Sequence, residues 1–182
     1  MIKLNSAYNS EDFIEDFIED LTAEEAFLVL RKLFLENPNL KQIIYNTALK
    51  VVTTVDAEEI ANELCDDLLS VEVEDLYDRS GSGRYGYVHP HDEAWVMFDE
   101  QIEPYLDEME KYHKRELPHI VKEYCIGIIK GLMEFSEEAT TEFSDWVADA
   151  PSDYISRVVD SYKKMQPDMK DVEEVMKYIK KG

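Results

Sequence analysis

Apolar residues recur along this chain every three or four positions, the period of an amphipathic helix; alternation appears only at Val71-Glu72-Val73-Glu74. Ser10 is placed to cap a helix over 11–20, where Phe13-Ile14 and Phe17-Ile18 repeat four residues apart with Glu and Asp on the opposite face. Thr22 and Glu25 form a capping box, the hydroxyl accepting from an amide three residues on while the carboxylate reaches back. The helix they open, 23–36, carries Ala26, Phe27, Leu30, Leu33 and Phe34 on one stripe and stops at Asn37-Pro38-Asn39. A third helix over 40–52 places Ile43, Ile44, Ala48 and Val51 inward, with a β-branched run weakening its end.

Asp56 with Glu59 reads as a second capping box, opening a helix through Ile60, Leu64 and Leu68. With no partner strand in view, Val71 to Glu74 is taken as the end of that helix. Asp92 is placed to cap the next helix, which carries Trp95, Phe98, Ile102, Leu106 and Met109. Pro104 lies inside it and predicts a kink or break near 101–104, since proline removes an interior amide bond. Pro118 suits the first turn of a helix over 117–135 that is apolar on almost every side and reads as the central one. Ser136 or Thr141 starts another helix, through Phe143 and Trp146. Ala150-Pro151-Ser152 turns into one with Tyr154, Val158 and Tyr162, and Pro167-Asp168 opens a last one with Val172, Val175 and Ile179.

The expectation is an all-α fold of about nine short antiparallel helices, because short helix-to-helix loops force antiparallel neighbours. They would form an irregular α-α superhelix or a multi-helical bundle. Residues 1–182 read as a single domain, with a subdivision at the glycine-rich stretch 79–90. The spaced Trp, Leu, Gly and Tyr of tetratricopeptide repeats are missing.

Charge then narrows the function. The 182 residues hold 41 acidic and 19 basic side chains, a formal net charge of -22, with the acids scattered through nearly every segment. Nucleic acid and anionic lipid surfaces are bound by cations and would be repelled. Lys111, Lys114 and Arg115, and the tail Lys177, Lys180 and Lys181, read as complements to helix C-termini. Cys65 and Cys125 fall in apolar stripes, where free cysteine behaves as a small hydrophobe. No signal-peptide pattern and no uninterrupted stretch of about 20 apolar residues is evident, so the expected location is the reducing cytoplasm.

Candidate chemistry gathers in Arg79 to Asp92. Gly81, Gly83 and Gly86 can be laid out as a phosphate-cradling loop, but such a loop needs a strand before it and a βαβ unit around it; a connector with aromatic anchors is expected instead. His89 and His91, with Asp92 or Glu93, have the donor types for zinc or nickel, and a complete site would need His113, His119 or a carboxylate from elsewhere. Glu116 and His119 have Glu-x-x-His spacing, broken by Pro118. No nucleophile elbow is present and neither cysteine has a histidine beside it, so nucleophilic catalysis and a bound cofactor are not expected. Tyr85 and Tyr87, with Arg84, are the candidate interaction residues, since loop aromatics often anchor interfaces.

From Asp78 to Phe98 a glycine-rich turn runs into Tyr85-Gly86-Tyr87-Val88 and then an acidic helix bearing Ala94-Trp95. Upstream lie Leu21-Thr22-Ala23-Glu24-Glu25, an Asn-Pro turn and the helix from Leu40. This pattern resembles the helical region found downstream of SWIM-type zinc fingers in uncharacterised prokaryotic proteins, over about Leu21 to Phe135. The finger's clustered Cys and His ligands are absent here, so the resemblance implies the helical part alone, with a scaffold or interaction role.

The expected function is therefore an acidic α-helical scaffold that binds another protein, a basic one fitting best. The rivals are a metal-binding protein or metal-dependent enzyme using His89 and His91, and an acidic mimic of nucleic acid. Helices rich in Met and aromatics also suit a homodimer.

Overall fold

The computed structural model describes residues 11–52, 54–83 and 86–179, and the chain divides into two compact units, Met1–Thr53 and Thr54–Gly182. The expected cap Ser10, Arg84 and Tyr85 of the glycine-rich stretch, and Lys180 and Lys181 lie outside the described residues.

In the first unit, α1 spans Glu11–Glu19, α2 Ala23–Glu36 and α3 Lys41–Val52, with a 3-10 turn Pro38–Leu40 between the last two. The capping box at Thr22 and Glu25 is formed as expected: Glu25 N donates to Thr22 Oγ1 at 3.3 Å and Thr22 N to Glu25 Oε2 at 3.0 Å. The expected inward stripes are not inward. Phe27 is 61% exposed and Ile43 60%, and no described residue of this unit is buried.

The second unit holds α4 (Ala57–Leu69), α5 (Val73–Arg79), β1 (Gly81–Gly83), β2 (Gly86–Val88), α6 (Pro90–Lys114), α7 (Pro118–Glu138), α8 (Glu142–Trp146), α9 (Ala150–Lys164) and α10 (Met169–Ile179). Helix α7 is central, as its all-round apolarity predicts, and packs against α4, α6, α9 and α10. Its contact with α4 is closest because Gly127 and Gly131 share one face. A Cβ on Gly127 would lie 2.6 Å from Ile60 Cβ, and one on Gly131 would lie 2.7 Å from the Ala61 carbonyl oxygen. Ala57 and Ala61 give the facing helix a small surface there, and the side chains of Ile60 and Leu64 fill the space the two glycines leave, so the helices approach closely.

Several expectations are corrected. The described residues contain ten α-helices, all-α as expected but more than nine. Val71 to Glu74 does not end α4: Ser70 closes that helix and Val73 begins α5. Asp56 caps α4 through Glu58 N at 2.9 Å, a single cap bond rather than a box. The glycine-rich stretch is a two-stranded antiparallel hairpin pairing Gly81 with Val88. Its Gly81 and Gly86 have φ of 95° and 130°, values that L side chains rarely adopt. Helix α6 runs unbroken through Pro104. Residues 100 and 104 are both exposed, so the carbonyl that loses its partner lies on the solvent side of the helix.

Candidate binding groove

Between α6 and α9 of the second unit lies a groove of about 720 Å³. Ile102, Met109, Tyr154 and Val158, all buried, form its floor. One rim is acidic: Asp99, Glu103, Asp107 and Glu110 follow at four, four and three residues along α6, so helical periodicity puts them in one row. The other rim carries Arg157, Ser161 and Lys164 of α9, and His113 lies at the α6 end.

The charges across this groove do not pair. Among the described residues Asp99, Glu103 and Asp107 make no ion pair, nor do Arg157 and Lys164; only Glu110 does, to Lys114 at 2.8 Å on its own helix. That bond, with the lysine's charge, holds the Glu110 carboxyl below the usual carboxylate range. Arg157 instead stacks its guanidinium 4.8 Å above the ring of Tyr154. Tyr154 also meets Phe98, with ring centroids 5.3 Å apart. Its hydroxyl, in a residue only 2% exposed, has no hydrogen-bond partner among the described residues. A buried hydroxyl left unpaired costs free energy.

At the hairpin, the structure assigns His89 a role that sequence reading gave to Asp92. His89 is the N-cap of α6: its Nδ1 accepts from His91 N at 3.1 Å, Pro90 takes the first helical position, and Asp92 lies within the first turn, three residues past the cap. The His89 ring sits edge-on between Tyr87 (6.3 Å) and Trp146 (5.9 Å), so packing and capping hold it. His91 is exposed, 3.5 Å from Asp92 Oδ1 and tilted against Trp95. Among the described residues no three His, Cys, Asp or Glu side chains converge as a metal-ligand set. His113 lies at the groove and His119 on an exposed turn of α7, neither beside His89. Tyr87, 66% exposed, is presented to solvent from β2.

Two further polar devices join helices of the second unit. Arg79, at the end of α5, reaches α6: its Nε lies 2.7 Å from Glu93, and both terminal nitrogens donate to Glu100 at 2.7 Å. The bidentate bond holds the Glu100 carboxyl below its ordinary range. Lys122 of α7 donates to Asp171 at 3.1 Å and to Glu174 at 3.0 Å, tying α10 down and raising the lysine's own pKa through those bonds. Cys65 and Cys125 are free and buried; burial pushes the Cys125 thiol up to about 12 and the Cys65 thiol to about 11.

No family model, no curated protein and no solved structure matches the chain. Among the described residues no helix is long and apolar enough to cross a membrane.

Proposed function

We propose that the protein is an interaction module whose α6–α9 groove receives an amphipathic, basic segment of a partner protein. The observation that supports this most is the uncompensated acidic row Asp99, Glu103, Asp107 along one rim of an apolar floor. Like charges four apart on a helix cost roughly 0.2–0.5 kcal/mol per pair, so the row is a burden on the free protein. Lysines or arginines of a ligand would relieve it. The ligand's apolar side chains would cover Leu106 and Met165, the half-buried apolar residues that line the groove.

Arg157 and Lys164 on the far rim set a direction, since they favour an acidic or carboxyl-terminal end of the bound segment on the α9 side. The negative field of the whole chain speeds the approach of a basic segment and disfavours nucleic acid. The likeness to the helical region downstream of SWIM-type fingers would carry the same scaffold role.

Binding of a labelled Leu/Lys amphipathic helical peptide, followed by fluorescence anisotropy, tests the reading. Affinity should fall steeply with added salt, and Glu103→Lys with Asp107→Lys should weaken it by about tenfold or more. Unchanged binding in that variant would refute the groove.

A further inference from the structure

We infer that the unit of residues 1–53 associates with a second copy of itself, making the protein a homodimer through its N-terminal helices. The inference stands apart from the groove, which belongs to the other unit. No described residue between 13 and 51 is buried, yet fourteen large apolar side chains there are 38–68% exposed. Helix α2 shows Phe27, Leu28, Val29, Leu30 and Leu35 on every side, the pattern of a helix that is surrounded. At about 100 Å² left open on each, the fourteen offer on the order of 1,000 Å² of apolar surface per copy; a standard stable interface needs about 800 Å² from each partner.

Charge selects the occupant. Helix α1, Glu11–Glu19, has five acids and no base around Phe13, Ile14, Phe17 and Ile18. Past the first turn of α2, which carries Glu24 and Glu25, residues 26–52 hold Arg31, Lys32, Lys41 and Lys50 against the single acid Glu36, so the cationic apolar surface is the later part of α2 together with α3, in a chain of net charge -22. A basic partner would be repelled by the second segment and an acidic one by the first. A second copy related by a two-fold axis satisfies both at once, α1 of each lying on α2 and α3 of the other. Repulsion between the two acidic remainders is screened beyond about 8 Å at physiological salt.

Sedimentation equilibrium of the full chain is the test. A mass near twice 21.3 kDa is expected at micromolar concentration, and a single-chain mass at 100-fold higher concentration would overturn the inference. Arg31→Glu with Lys32→Glu should raise the dimer dissociation constant about tenfold or more, and adding Glu15→Arg with Asp16→Lys should restore it to within about threefold. A reversal without effect, or a loss that the compensating pair does not restore, would overturn the reciprocal docking. Far-ultraviolet circular dichroism of each variant keeps loss of helix distinct from loss of association.

Discussion

Replacing Gly131 by Ala puts a methyl group where α4 and α7 touch. The new Cβ would lie 2.7 Å from the Ala61 carbonyl oxygen, 3.1 Å from Leu64 Cβ and 3.2 Å from Ala61 Cα. Ordinary contacts are about 3.5–4.0 Å, so the helices must separate by roughly 0.5–1 Å, a gap that forfeits a quarter to a half of the dispersion energy along the seam. Overpacking of this kind costs about 1–3 kcal/mol, and the better helix propensity of Ala returns up to about 1 kcal/mol. A net loss of about 1–2 kcal/mol should appear as a fall in the unfolding midpoint of roughly 3–8 °C. Urea denaturation with an unchanged slope would place the effect in the native state. Trimming Ala61 to Gly should not rescue the variant, because the obstruction is backbone. A Gly131→Ala protein as stable as the parent, or more so, would refute the close-packed seam.

Other outcomes follow from the same geometry. Arg79→Met should cost about 1 kcal/mol, a modest figure because the pair is partly exposed. It should also change the acid limb: the Glu100 carboxyl is held low, so its contribution is present above about pH 4.3 and lost as pH falls through the lowered folded value. In Arg79→Met that part of the acid sensitivity should vanish; an unaltered pH profile would contradict the assignment. Cys65 and Cys125 should react with a maleimide at pH 8 only as fast as the unit unfolds, and rapid native-state labelling would count against their burial. Glu116→Gly should stabilise by about 0.5–1 kcal/mol in thermal melts, because Glu116 holds a φ of 57° just past α6; a destabilised variant would oppose that reading.

Much of the helix pattern was legible because the signals were local. The Thr22–Glu25 box and Pro118 in a first turn each belong to a few neighbouring residues and form as expected, and of the two expected starts Ser136 and Thr141 it is Thr141 that caps α8, accepting from Ser144 N, while Ser136 lies inside α7. The unbroken α6 was less so: Glu116, not glycine, occupies the left-handed position beyond it, so the usual stop signal was missing while Pro104 suggested a false one. The hairpin hid because its strands have three residues each and glycine is poor strand material.

The groove was the least legible. Asp99, Glu103 and Asp107 are ordinary surface acids in a chain with 41 of them, and only the approach of α9, some 50 residues downstream, turns one side of α6 into a rim. The four- and three-residue spacing of the acids was readable, but which face of α6 stays open is decided by tertiary packing. Gly127 and Gly131 gave a readable four-residue spacing, yet a seam follows only when a facing helix offers residues as small as Ala57 and Ala61. In residues 1–53 the periodic apolar stripes correctly announced helices, but periodicity alone does not say what covers them.

The most direct test of the proposed function is amide chemical-shift mapping of the full chain titrated with the Leu/Lys peptide. The account predicts perturbations concentrated on residues 99–113 of α6 and 154–164 of α9, absent in Glu103→Lys with Asp107→Lys. Perturbations centred on the β1–β2 hairpin or α10, or none at saturating peptide, would contradict it.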